Sequence, residues 1–170
     1  PLDPDFVPFT CALTAALAGK PVLMEEFGGC TALPGEATYT MKWTETNGRE
    51  REQFMASEED FAEFLRLTIP KLQHSGATGA MLWCYADYIP ELWDVPPCQN
   101  SQHERFFGLV RPDGSLRPHA KVIQEFAKTN PQVLPIPEYA KLTVDAEEFY
   151  KEPLPHLVDL YQKYLADMSK

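Results

Sequence analysis

Blocks of apolar residues alternate with polar stretches along the chain, and their spacing predicts helices and strands in turn. Residues 6–18 predict a helix that stops at Gly19. Two mostly apolar runs, at residues 22–27 and 77–85, are typical of strands that are covered on both faces. Between them, apolar residues at three- and four-residue spacing predict a helix that begins after Ser57. The chain therefore predicts an alternating order of helices and strands.

This order predicts parallel strands that are joined by crossover helices. Both connections from strand to helix run to roughly 30 residues, whereas such loops usually take about 2–6. The connections from helix to strand are short. Long loops after strands mark the working face of a barrel. The sequence predicts an α/β fold, namely the C-terminal portion of a TIM (β/α)₈ barrel with about strands seven and eight and their flanking helices.

The rest of the chain and its ends complete this picture. Pro118 is predicted to open a last barrel helix, and a proline-rich link after Pro131 leads to an amphipathic helix at residues 154–168. Two parallel strands cannot form a stable sheet alone. In addition, the first residue of the sequence is not Met. We therefore expect that the chain is an internal piece of a longer polypeptide.

Charge and composition restrict the class of partner. The chain has 15 Lys and Arg against 25 Asp and Glu, which gives a net charge of −10. Such a charge argues against nucleic acid or an anionic membrane as the main partner. No apolar run is long enough to cross a bilayer. The cellular compartment stays open.

No cofactor or metal is expected from the cysteines and histidines. The four cysteines form no Cys-x-x-Cys pair, and the four histidines lack the spacing of a metal site. Free thiols are the expected state. A Cys30–Cys98 or Cys84–Cys98 disulfide is an alternative only in an oxidising compartment.

The first strand ends on two carboxylates, Glu25 and Glu26. Side chains alternate along a strand, so only one of the two can point towards the barrel axis. Glu26 shares its side with Val22 and Met24, and we take it as the inward carboxylate. Glu25 would then point towards the surrounding helices or a loop, where a loop-capping or ion-pairing role is expected. A strand that simply ends on solvated acids is the alternative for both.

Aromatic residues follow the second strand. Trp83 falls at its C-terminal edge, where an indole can serve as a flat platform and a hydrogen-bond donor for a ligand. A core tryptophan is the alternative. The two long loops mix aromatic rings with acids, a composition typical of a sugar-binding groove, although packing of the loops on each other is an equal alternative. These loop residues are Trp43, Tyr85, Asp87, Tyr88, Glu91, Trp93 and Asp94.

Three motifs together resemble a known family. Glu26-Phe27-Gly28 ends the first strand, Leu82-Trp83 ends the second, and residues 103–118 lead into the last barrel helix. This ensemble, within about residues 18–130, resembles the retaining glycoside hydrolases of the family 5 type (clan A), with β-mannanase-like and β-galactosidase-like members.

The resemblance implies a site and a substrate. Glu26 matches the catalytic nucleophile on strand seven, and Trp83 matches the aromatic platform on strand eight. The loop residues Tyr85, Asp87, Trp43 and Trp93 are the further candidates for contact with a β-linked oligo- or polysaccharide. The family's acid/base Glu follows an Asn on strand four, but no Asn-Glu pair occurs in this sequence.

The chain is therefore expected to hold half of a catalytic pair. It would be a fragment of a glycoside hydrolase, inactive in isolation, whose partner is the remaining N-terminal part of the barrel. Residues 1–130 would form the C-terminal part of the barrel. Residues 131–170 would form the proline-rich link and a terminal helix that packs on the barrel. The alternative is a non-catalytic carbohydrate-binding or structural half-barrel fragment.

Overall fold

A computed structural model describes residues 2–170 of the chain. Nine helices and strands lie within these residues, and short 3₁₀ turns connect some of them. The helices are α1 (Phe6–Ala18), α2 (Glu58–Gln73), α3 (Pro118–Lys128), α4 (Ala146–Lys151) and α5 (Pro153–Met168). The strands are β1 (Val22–Phe27), β2 (Tyr39–Thr44), β3 (Glu50–Met55) and β4 (Ala77–Leu82). No helix within residues 2–170 is long and apolar enough to span a bilayer.

The helices and strands that the apolar pattern predicts are present. The bounds of α1 and β1 are confirmed as predicted, and α1 ends at Gly19 with a left-handed φ of 62°. The cap of α2 is also confirmed, because Ser57 Oγ accepts the Asp60 backbone N–H at 3.0 Å. β4 ends at Leu82, earlier than the predicted end at residue 85. There, the Cys84 N–H donates to the carbonyl of Phe107 at 3.1 Å, outside the strand.

β1 and β4 pair in one two-stranded sheet. Thr78 Oγ1 donates to the Val22 carbonyl, and the two residues are 56 positions apart. The Trp83 N–H donates to the Phe27 carbonyl with the same separation in sequence. A constant separation along both strands means that they run parallel, as the order of elements predicts.

The described residues divide into two compact units. The first consists of residues 25–66 and 81–131 together with Leu2. Its hairpin pairs β2 with β3 in antiparallel register, with Tyr39 opposite Met55 and Trp43 opposite Arg51. The sequence predicts only a long connection between β1 and α2, so the hairpin is a correction to that prediction. The turn itself lies where Asn47-Gly48 predicts it, and Gly48 has a φ of 82°.

The second unit consists of residues 3–24, 67–80 and 132–170. Its core joins α1 with α4, α5 and the segment before them. Tyr164 of α5 is fully buried, and its ring contacts Phe9 of α1 with centroids 5.6 Å apart. α4 was not predicted from the sequence, and α5 begins one residue before the predicted helix.

We expect the isolated 170-residue chain to self-associate. Leu23 and Met81, on the two paired strands, are 50% and 49% exposed. A two-stranded sheet with exposed apolar residues and unpaired edges favours association with further strands. Sedimentation velocity should therefore show oligomers or aggregates across a dilution series. A compact monomer that melts cooperatively would contradict the interpretation as a fragment.

Candidate active site

The end of β1 presents two exposed carboxylates. Glu25 and Glu26 are both exposed, whereas Phe27 beside them is 8% exposed. Glu26 has a φ of 54°, a left-handed conformation that residues other than glycine rarely adopt. A backbone outlier of this kind is sustained by its surroundings and is often found at functional sites.

This conformation bears on which carboxylate points inward. Strict alternation of side chains requires extended backbone, and the extended geometry ends at Glu26. Alternation therefore does not by itself separate the direction of Glu26 from that of Glu25. The assignment of Glu26 as the catalytic carboxylate stays a prediction, supported by its place at the end of the strand.

Trp83 lies directly beside this end of β1. Its backbone N–H donates to the Phe27 carbonyl at 2.9 Å. Its side chain is 41% exposed, which favours an accessible ring over a core tryptophan. The Trp83–Cys84 peptide bond is cis. The structure thus brings the candidate nucleophile and the candidate platform to the same end of two paired parallel strands.

The other aromatic candidates differ in accessibility. Tyr85 is 76% exposed, so its ring is free to meet a ligand. The indole N–H of Trp43 donates to the Asn100 carbonyl at 2.7 Å, and that of Trp93 donates to the Tyr88 carbonyl at 3.0 Å. Both indole donors therefore bind the loops themselves, as the packing alternative predicts. Sugar contacts by Trp43 and Trp93 stay predictions.

Asp87 lies in a buried ion network. Its Oδ1 accepts the Gly108 N–H at 2.7 Å, and its Oδ2 pairs with Arg117. Arg117 also donates to Glu58 Oε1 at 2.6 Å, and Arg111 donates to both oxygens of Glu58 at 2.5 Å. We call Glu58, Asp87, Arg111 and Arg117 the buried ion network. One Asp87 oxygen is therefore bound by Gly108 and the other by Arg117, and a contact of Asp87 with a sugar stays a prediction.

The network ties the loop after β4 to the start of α2. The side chains of Arg117, Asp87 and Glu58 are 2%, 3% and 6% exposed. Burial raises the pKa of the Asp87 carboxyl above its usual value, although the Arg117 guanidinium beside it acts in the opposite direction. Sequence reasoning missed this network, and the only signal was a pair of arginines on either side of the turn at residues 112–114.

Gly108 lets the loop close on this network. A Cβ at Gly108 would lie 2.2 Å from the Asp87 backbone nitrogen, so the approach requires glycine. The Gly108 carbonyl lies 3.1 Å from His119 Nε2. Burial lowers the pKa of His119 to about 4, so this imidazole is neutral at ordinary pH. The loop is therefore held at Gly108 by two hydrogen bonds, one from its N–H to Asp87 and one from His119 to its carbonyl.

Metal-ligating residues show no comparable grouping. Within residues 2–170, no set of three His, Cys, Asp or Glu side chains is arranged to hold a metal ion. Cys11, Cys30, Cys84 and Cys98 are free thiols.

Comparison with solved structures identifies the fold. A GH5_18 protein from Bifidobacterium longum subsp. longum, in complex with Manβ1-4GlcNAc, matches 79% of this chain with a TM-score of 0.54 and 20% sequence identity. An exo-β-1,4-mannosidase from an Opitutaceae bacterium matches 76% of it with a TM-score of 0.53 and 25% identity. The fold is that of part of a family 5 glycoside hydrolase. No protein-family model and no curated protein sequence matches the chain.

The match to family 5 glycoside hydrolases covers a small part of those structures. The chain spans 26% of the Bifidobacterium protein and 18% of the mannosidase. A GH5_18 protein from Streptomyces cattleya, in complex with GlcNAc, gives the same picture: 79% of this chain, 27% of that one, 19% identity and a TM-score of 0.50. The predicted resemblance to part of a family 5 barrel is confirmed, and so is the α/β class.

Proposed function

We propose that this chain is the C-terminal part of a retaining glycoside hydrolase that acts on β-linked mannosides. In this proposal β1 and β4 are strands seven and eight of the barrel, within residues 1–130. Residues 131–170 carry the link and terminal helix. The observation that carries the proposal is the pairing of the Phe27 carbonyl with the Trp83 N–H at 2.9 Å. Glu26, an exposed carboxylate, directly precedes Phe27, and Phe27 is hydrogen-bonded to the residue that carries the exposed indole, Trp83.

Glu26 is the proposed nucleophile. Its carboxylate attacks the anomeric carbon and forms a glycosyl ester, while a second carboxylic acid protonates the leaving oxygen. Water then cleaves the ester with the second residue as base, and the product keeps the β configuration. An exposed carboxylate at a strand end suits this role because the nucleophile must be ionised and must reach the sugar.

Trp83 is the proposed platform for the sugar whose bond is cut. Sugar rings have apolar faces that stack on an indole. Tyr85, two residues further along the chain, is 76% exposed and is the further aromatic candidate for contact with the sugar. Asp87, in contrast, supports the site by holding the loop through Arg117 and Gly108.

The names of the structural neighbours support the mannoside class. One is called an exo-β-1,4-mannosidase, and another is in complex with Manβ1-4GlcNAc. The second carboxylic acid lies outside this chain in the proposal, because no Asn-Glu pair occurs in the sequence. The isolated chain is therefore inactive, and turnover requires the longer protein that supplies the rest of the barrel.

Replacing Trp83 tests the platform. In the longer protein, Trp83→Ala should lower kcat/KM for Manβ1-4GlcNAc by about a hundredfold or more, since each lost 1.4 kcal/mol of binding is a factor of ten. The free energy of unfolding should fall by no more than about 1 kcal/mol, because the side chain is 41% exposed. Steady-state kinetics and urea unfolding measure the two effects.

Tyr150→Ala is the matched control, because Tyr150 is a 67% exposed aromatic residue of the second unit. It should leave kcat/KM unchanged. A loss of about 3–5 kcal/mol in stability with a proportionate loss of activity would instead make Trp83 a core residue. Binding of the disaccharide without any hydrolysis by the longer protein would favour the non-catalytic alternative.

A further inference from the structure

We propose that Gly28 is a positioning residue of this site. The absence of a side chain at Gly28 lets the Trp83 peptide lie directly against the end of β1, and this contact sets the position of the Trp83 ring relative to Glu26. The inference rests on the proposed function, because the ring and the carboxylate matter together only in a glycosidase.

The space beside Gly28 is filled by backbone. A Cβ at Gly28 would lie 2.9 Å from the Trp83 carbonyl oxygen and 3.3 Å from Leu82 Cδ1. Side-chain atoms can rotate away from such a contact, but a backbone oxygen moves only with its peptide. Gly28 also has a φ of 144°, which L side chains rarely adopt. Any larger residue at this position therefore displaces the Trp83 peptide.

Two backbone hydrogen bonds restrain Trp83 against this displacement. Its N–H is held by the Phe27 carbonyl at 2.9 Å, and the next N–H, of Cys84, donates to the Phe107 carbonyl at 3.1 Å. Phe27 thus binds the N–H of Trp83, while Gly28 lies against the carbonyl of Trp83. A push on the Trp83 carbonyl must tilt the residue about these two hydrogen bonds. The exposed indole would move with it, while Glu26 stays on β1.

Two other glycines of the first unit, Gly29 and Gly35, lack this constraint. A Cβ at Gly29 would meet the Phe61 ring at 3.2 Å, and that ring is a side chain that can shift. Gly35 also has a positive φ, of 83°, and nothing within 4 Å of a Cβ. Gly35→Ala therefore places a side chain on a positive-φ glycine without the clash, which makes Gly35 the control.

The test is made in the longer protein with Manβ1-4GlcNAc as the substrate. Gly28→Ala should lower kcat/KM by about a hundredfold, the size of loss that a misplacement of about 1 Å causes. Gly35→Ala should leave kcat/KM within about twofold of the unchanged protein. Circular dichroism and thermal melting should show that both variants fold.

A double-variant cycle separates positioning from a general structural role. In a protein that already carries Trp83→Ala, adding Gly28→Ala should cost less than about threefold, because the ring that Gly28 positions is gone. A hundredfold loss in both backgrounds, a Gly28→Ala protein that is fully active, or one that does not fold while Gly35→Ala does would each overturn the inference. If Glu26→Ala also keeps full activity, the proposed function fails as well, so the two failures are distinguishable.

Discussion

Glu26→Ala should abolish turnover of Manβ1-4GlcNAc by the longer protein. The expected loss in kcat is about 10⁴-fold or more, because the glycosyl ester cannot form without the carboxylate. Folding should be unaffected, since Glu26 is exposed, and removal of a side chain from a left-handed position adds little strain beyond that already present. Steady-state kinetics and a thermal melt measure the two quantities.

Glu25→Gln is the control for this prediction. Glu25 is the neighbouring exposed carboxylate, and its replacement by an amide keeps the size of the side chain. Activity should stay within about tenfold of the unchanged protein, a loss that corresponds to about 1.4 kcal/mol. Full activity of Glu26→Ala together with an inactive Glu25→Gln would mean that the two roles are exchanged.

Arg117→Ala should cause the largest loss of stability. Arg117 is 2% exposed and donates to Glu58 at 2.6 Å while it pairs with Asp87. Its removal leaves two buried carboxylates short of a counter-charge, and breaking a buried ion pair in this way costs about 3–5 kcal/mol. Urea unfolding of the longer protein at about pH 7 measures the loss. Arg49→Ala, on the exposed hairpin turn, should change stability by less than about 0.5 kcal/mol.

The loss caused by Arg117→Ala should depend on pH. Burial already raises the pKa of Asp87, and Arg117 opposes that rise. Without Arg117 the pKa of Asp87 rises further, so the folded variant takes up a proton at higher pH than the unfolded chain. Stability then increases as pH falls through that raised pKa, and the deficit should be smaller at about pH 5 than at about pH 7. A deficit that is equal at both values would exclude Asp87 as the titrating group.

The two paired strands and the main helices could be predicted because their signals are local. The apolar run at residues 22–27, the stop at Gly19 and the cap at Ser57 each act within a few residues. The hairpin is different. β3 begins with Glu50, Arg51, Glu52 and Gln53, so an apolar pattern does not show it. Its pairing with the alternating residues of β2 fixes it instead.

The site was predictable in its residues and not in its geometry. Glu26 and Trp83 could be singled out because each follows an apolar run. The left-handed backbone of Glu26 could not, since glutamate has no preference for that conformation. The role of Asp87 could not be predicted either, because its partner Arg117 lies 30 residues further along the chain. Residues that are far apart in sequence meet only once the loop has folded.

Azide rescue of Glu26→Ala is the most direct test of the central claim. Azide can occupy the space that the lost carboxylate leaves and can attack the anomeric carbon from the same face. In the longer protein with a mannoside that has a good leaving group, azide should restore activity, and NMR should identify the product as the glycosyl azide of inverted configuration. No rescue, or an azide product of retained configuration, would contradict the assignment of Glu26 as the nucleophile.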